Sequence, residues 1–183
     1  MPVIVDKDDD SLYWIADSED GTWTNSDPKG HKNWSTETNQ NNNNNYKPLV
    51  KIFKWWRRKH CPGGVKYPKG ITLEKLIADN LGDSSASTED FLIETMQNIV
   101  SAYKKAYVDA GINPYIDDPS GKIDSNDLLA GYTTDDFKGF ILKLDEHIKL
   151  LNDNGSESET WRTILGTEFP KNQESKSLYN LLA

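Results

Sequence analysis

One cysteine in 183 residues, Cys61, excludes an internal disulfide and fits a reducing compartment. Apolar residues make up only 36% of the chain, and its mean hydropathy is −0.74. No stretch approaches the roughly 18 consecutive apolar residues that a membrane helix needs. The apolar run after Met1 is only Pro2–Val5 and gives way to acids from Asp6, with no basic and then apolar stretch, so no signal peptide is read at the start. The expectation is a soluble, cytoplasmic protein with no membrane partner. Asn33-Trp34-Ser35 has the form of a glycosylation triplet, which carries no weight without secretion. The common catalytic patterns are also missing. His60-Cys61 is the one adjacent His/Cys pair, and a zinc site needs three or more spaced ligands. His31 and His147 stand isolated, with no sign of a Ser or Cys nucleophile beside either. Gly63-Gly64 is not followed by the Lys-Ser/Thr of a phosphate-binding loop. Asp8, Asp9 and Asp10 point different ways on an extended chain and read as a solvated cluster rather than a cation site.

The most uneven absence is of acids. Lys47 to Lys69 holds eight basic side chains (Lys47, Lys51, Lys54, Arg57, Arg58, Lys59, Lys66 and Lys69) and no acidic one, in a chain of net charge −8. The first 46 residues carry three basic and nine acidic groups; from Gly70 onward there are ten and twenty. A short basic element between acidic ones suits a small polyanion, because a focused positive patch concentrates phosphate groups. A solvated helix face reads equally well from charge alone. A coat for nucleic acid would be basic throughout, and this chain has a pI near 4.9, so nucleic acid is not the expected partner.

At this length one domain with a sizeable core is expected, burying roughly 70% of the unfolded surface. Six Trp, eight Tyr and five Phe supply much of it. Residues 1–46 read as irregular, with short strands at Pro2–Val5 and Ser11–Ala16. A loop is expected from Asp17 to Trp34, and an exposed Asn-rich connector from Asn39 to Asn45 marks a boundary. Helical patterns follow. Leu49, Ile52, Phe53 and Trp56 share one face over 48–60, with Pro48 in the first turn and Cys61-Pro62-Gly63-Gly64 ending it. Thr72 is expected to cap a helix running to Leu81, and Ser87 one carrying Leu92, Met96, Ile99, Tyr103 and Ala106, stopped by Gly111. Thr133 opens a helix carrying Phe137, Phe140, Ile141, Leu144, Ile148 and Leu151, and a last one surrounds Trp161, Ile164 and Leu165. No alternating strand pattern appears beyond residue 46. The fold class is mainly α: a helical bundle over 47–183, preceded by short strands and loops. Lys54 follows Leu49, Val50 and Phe53, so its stem is expected to emerge at the rim of the core, where a lysine can reach a triphosphate as a point charge. Trp55 and Trp56 offer flat faces for a base or for the core.

Five stretches, in order, resemble one family. The run from Lys47 to Trp56 is similar to the helix that opens the C-terminal half of the CD-NTases, bacterial nucleotidyltransferases related to cyclic GMP-AMP synthase and oligoadenylate synthase. Lys69 to Leu76 resembles the family's following "lysine-serine-tyrosine-x-leucine-glutamate" helix start. Gly21 to Trp34 resembles its "threonine-aspartate-proline, x, x, histidine" loop, Tyr115 to Pro119 its "aspartate-proline" stretch, and Trp161 to Pro170 its closing "tryptophan-arginine" segment, with Leu165 in place of Phe.

The resemblance implies that residues 1–46 are a remnant of the α/β catalytic lobe and 47–183 a helical, nucleotide-binding lobe. Such enzymes hold two Mg2+ ions with a Gly-Ser turn, an Asp-x-Asp pair and a third carboxylate. No such set is found here, and Met1-Pro2 aligns just after the third carboxylate's strand. The chain is therefore expected to be a C-terminal part, excised or one half of a split gene, inactive without the N-terminal catalytic half that would bind Mg2+. Carried over by position, Lys54 would neutralise the triphosphate of ATP or GTP, and the turn at Lys69-Gly70 would help bind it. Gly70 stands where the family has serine, and Ile71 where it has an aromatic. The products implied are cyclic oligonucleotide second messengers of anti-phage defence. The competing expectation is a non-enzymatic helical module whose basic face docks an acidic partner.

Overall fold

A computed structural model of the chain describes residues 3–8, 12–16, 23–121 and 127–169. Pro2 and Ser11 of the expected strands, Asp9 and Asp10 of the acidic run, Gly21 and Thr22 of the first motif and Pro170 of the last lie outside them. Strands β1 (Val3–Val5), β2 (Tyr13–Ala16) and β3 (Trp23–Ser26) form an antiparallel sheet in that order, with Val3 opposite Ile15 and Tyr13 opposite Ser26. Among the described residues six helices follow: α1 (Pro28–Asn41), α2 (Tyr46–His60), α3 (Gly70–Ala78), α4 (Thr88–Tyr103), α5 (Thr134–Asn154) and α6 (Ser158–Leu165). A π-helical turn, Lys104–Val108, continues α4. The fold is mainly α, and no described helix is long and apolar enough to cross a membrane.

Two stretches expected to be irregular are not. Of the loop expected from Asp17 to Trp34, residues 17–22 lie outside the described residues and residues 23–26 form β3, while residues 28–34, with the start of the Asn-rich connector, form α1. Its signals are local and polar: Asp27 accepts the Gly30 N–H at 2.7 Å as an N-cap, and Pro28 sits at the first helical position. The connector shrinks to a turn in which Asn43 and Asn44 adopt left-handed φ of 53° and 62°, a backbone that Asn tolerates better than most residues. It is hydrogen-bonded in place. Asn39 accepts the Lys47 N–H at 2.9 Å, and the Asn45 side chain donates to the Ser84 carbonyl at 2.9 Å.

Further along, sequence and structure agree closely. Ser87 caps α4 by accepting the Asp90 N–H, and Thr133 and Asp136 close a full capping box on α5. Leu92, Met96, Ile99 and Tyr103 are buried, as are all six residues of the α5 stripe. Ala106 is exposed instead, because the π-helical turn inserts a residue and rotates Val108 onto the buried face. Thr72 is not a cap: Lys69 stands at that position, and the Thr72 hydroxyl donates to the Leu128 carbonyl at 3.1 Å.

The core gathers α2, α4, α5 and α6 around aromatic rings, with Trp56 stacked on Tyr67 and edge-on to Phe140. Inside it, Trp56 Nε1 donates to His147 Nδ1 at 2.7 Å, and the His60 and His147 rings meet at 4.5 Å. Burial, and then the neighbouring His60, hold the His147 pKa down at about 4. Two histidines that stand alone in the sequence thus have partners. His31 Nε2 lies 2.9 Å from both carboxylate oxygens of buried Asp118, tying α1 to the loop before α5. Burial pushes against ionisation of Asp118, but hydrogen bonds from Ser120 and from His31 keep its pKa below the usual range.

Two tests follow from this packing. The folded protein leaves His147 unprotonated down to about pH 4, whereas the unfolded chain takes up that proton near 6.5. The contribution is therefore complete above pH 6.5 and is lost as pH falls towards 4, by on the order of 2 kcal/mol after allowance for solvent screening. Urea unfolding across this range should show that slope, and His147→Gln, which keeps an acceptor for Trp56 but does not titrate, should flatten it. An equal slope in both proteins contradicts the assignment. At Gly30, a Cβ would stand 2.3 Å from Asp27 Oδ2 and 2.8 Å from Ser120 Cβ, both held in place. Helix propensity favours Ala there; the crowding predicts instead a loss of about 1–3 kcal/mol for Gly30→Ala, read from the urea midpoint.

Candidate nucleotide-binding site

The site is built on α2, which buries Leu49, Val50, Ile52, Phe53 and Trp56 and turns its basic residues away from them. Lys54 leaves the helix beside Phe53, and its side chain is 44% exposed. Its Nζ reaches across to α3 and lies 2.6 Å from Glu74 Oε1, in a carboxylate only 19% exposed. Buried Tyr46, in the first turn of α2, donates its hydroxyl to the Glu74 carbonyl at 3.0 Å. Burial first, and then the charges of Glu74 and Asp79, raise the Tyr46 pKa, so the phenol keeps the proton that it donates here. The two helices are thus pinned together at the level of the lysine.

One turn before Glu74 is the start of α3. Lys69 is its N-cap residue, exposed, with its N–H donating to the Tyr132 hydroxyl at 3.2 Å; no side chain caps the helix. Gly70 follows with φ of +56°, and a Cβ placed on it would meet nothing within 4 Å. The departure from serine at this point has a local cause: the left-handed backbone favours glycine. Arg57, one turn beyond Lys54, donates Nε to the Tyr67 carbonyl at 3.0 Å in the segment leading to α3. Lys54 and Arg57 therefore flank the approach to an uncapped helix N-terminus whose open side carries Lys69 and Gly70. Such a terminus presents backbone N–H groups and a positive dipole end to an anion.

Neither tryptophan is open for a base. Trp56 is buried in the core, and Trp55 donates Nε1 to the Leu165 carbonyl at 2.6 Å. The ring of Trp55 is covered by Arg58 and Lys59, at 5.3 and 4.9 Å from its centre. Ile71 is half-buried on α3. Sequence reasoning did not find Glu74 as the partner of Lys54, because the contact joins two helices across 20 residues of chain. The arrangement can hold an anion. Among the described residues no group of three or more His, Cys, Asp or Glu could hold a metal ion.

No family model matches the chain. It is 33% identical over 171 residues to a cyclic AMP-AMP-AMP synthase of Acinetobacter sp., a match that covers 90% of this chain and 49% of that protein. It is 30% identical over 162 residues to a probable cyclic AMP-AMP-GMP nucleotide synthase of Salmonella paratyphi B and to a cyclic AMP-AMP-GMP synthase of Enterobacter hormaechei subsp. hoffmannii, covering 85% of this chain and 42% of each relative. The chain thus spans about half the length, or less, of the curated relatives it matches. Those relatives are CD-NTases, and over the part of them that it spans, this chain belongs to the CD-NTase family.

Proposed function

We propose that this chain supplies the helical, triphosphate-binding wall of a cytoplasmic cyclic oligonucleotide synthase that joins ATP or GTP into a second messenger, in the anti-phage role that the family implies. The observation that carries the reading is Lys54: it is rooted beside the core and its ammonium is held within 2.6 Å of α3, one turn from Gly70. An ammonium has three donors, and Glu74 takes one, leaving two for phosphate oxygens. Lys69 and the first amides of α3 add to the same positive region. Three further observations support the reading. The matched relatives are named for AMP and GMP products. Their length is about twice the matched span. Ile4 and Trp23 on one face of the sheet of described strands, and Val5 on the other, are exposed, apolar area that a further lobe would cover.

The chain's own part is to bind and orient the nucleotide. The Mg2+ pair of the complete enzyme would supply charge neutralisation at the reacting phosphates. Among the described residues no donor cluster is gathered for such ions; we assign them to the remainder of the enzyme, without which the chain is expected to be inactive. The test is nucleotide affinity in the full-length protein. Lys54→Ala should weaken ATP or GTP binding about tenfold or more, as expected for one charge-assisted hydrogen bond. Unchanged binding and unchanged product formation would remove Lys54 from the site.

A further inference from the structure

Seen along its axis, α2 places Lys47, Lys51, Lys54 and Arg58 within a sector of roughly 60°, in a line about 16 Å long. Lys54 is held by Glu74. Lys47, Lys51 and Arg58 are exposed and have no carboxylate partner among the described residues: Lys47 Nζ donates to the Thr36 hydroxyl at 3.2 Å, and Arg58 lies over Trp55. On the other helices some cations are paired, whereas Lys29 and Lys32 of α1 and Lys138 of α5 are exposed without a carboxylate partner among the described residues. Lys75 pairs with Asp79, Lys104 and Lys149 with Asp145, and Lys143 with Glu146.

The stripe is also unfavourable to its own helix. Lys47/Lys51 and Lys54/Arg58 are like charges four apart, Lys51/Lys54 three apart, and Lys47 sits at the positive end of the helix dipole. A line of like charge kept in the open, in a chain of net charge −8, calls for a counter-charge from outside.

The geometry points to a docking surface for a short acidic helix of another protein. The axial steps between successive cations are about 6, 4.5 and 6 Å, the steps of Glu or Asp at i, i+4, i+7 and i+11 on a facing helix. An extended peptide repeats its same-side residues at about 6.8 Å and drifts out of step. A nucleic acid carries charge far beyond about 16 Å, and the net charge of −8 opposes its wider contact with the chain. With Lys54 engaged by Glu74 or by a triphosphate, Lys47, Lys51 and Arg58 still match the i, i+4 and i+11 positions, so the surface stands whether or not Lys54 binds a triphosphate.

Fluorescence anisotropy of the full chain at low salt tests it. The probe is a labelled helical peptide bearing Glu at those four positions, with its Gln counterpart and a single-stranded oligonucleotide of matched charge as comparisons. Saturable binding of the Glu peptide is expected, with neither comparison matching it. Lys51→Glu with Arg58→Glu should weaken that binding by at least about tenfold while the circular dichroism spectrum is unchanged, and Lys105→Glu should leave it unaltered. Absence of saturable binding, equal binding by the double variant, or tighter binding of the oligonucleotide would each overturn the proposal.

Discussion

The burial of one face of α2 is the constraint on which the other features depend. Leu49, Ile52, Phe53 and Trp56 are at most 3% exposed, and Trp56 is locked further by its hydrogen bond to His147. With that face committed to the core, the rotation of the helix is set and every cation on it is assigned a direction. Lys54 falls at the seam with α3, Arg57 beside the connection to α3, and Lys47, Lys51 and Arg58 on the open side. Losing the packing would let α2 rotate or slide and would disperse all three groups together. The acidic majority of the chain then gives this element its contrast, since an unneutralised cluster attracts anions most where its surroundings do not.

The seam between α2 and α3 is held from several directions, which matters for a binding site because a positioned charge loses little freedom when its ligand arrives. Tyr46 reaches the Glu74 carbonyl from below, the Lys54–Glu74 pair closes the top, and Arg57 holds the Tyr67 carbonyl ahead of the turn. The turn itself is anchored by Tyr132, which accepts from the Lys69 N–H. Its left-handed glycine leaves the space above it open.

How far the sequence disclosed this depends on the range of the forces involved. The α4 and α5 patterns were legible because apolar periodicity and capping residues are both local. Helix α1 was not: it is polar and Asn-rich, buries no residue fully, and is secured by Asp27, a close approach at Gly30, and the His31–Asp118 pair across 87 residues. That last contact joins two of the stretches that resembled the family, so their recurrence in one order has a spatial reason invisible in one dimension. Ala106 left its stripe because a π-helical turn is not encoded in a 3.6-residue period. In the site, Lys54 could be singled out from its neighbours, whereas Glu74, 20 residues on, could not. His60 and His147, far apart in sequence, meet in the core for the same reason.

The most direct test of the central claim is a crystal structure of the full-length protein with a non-hydrolysable ATP analogue. The account predicts triphosphate oxygens within hydrogen-bond distance of Lys54 Nζ and of the first backbone amides of α3 at Gly70 and Ile71. A nucleotide bound elsewhere, with Lys54 still paired to Glu74 and touching no phosphate, would contradict it.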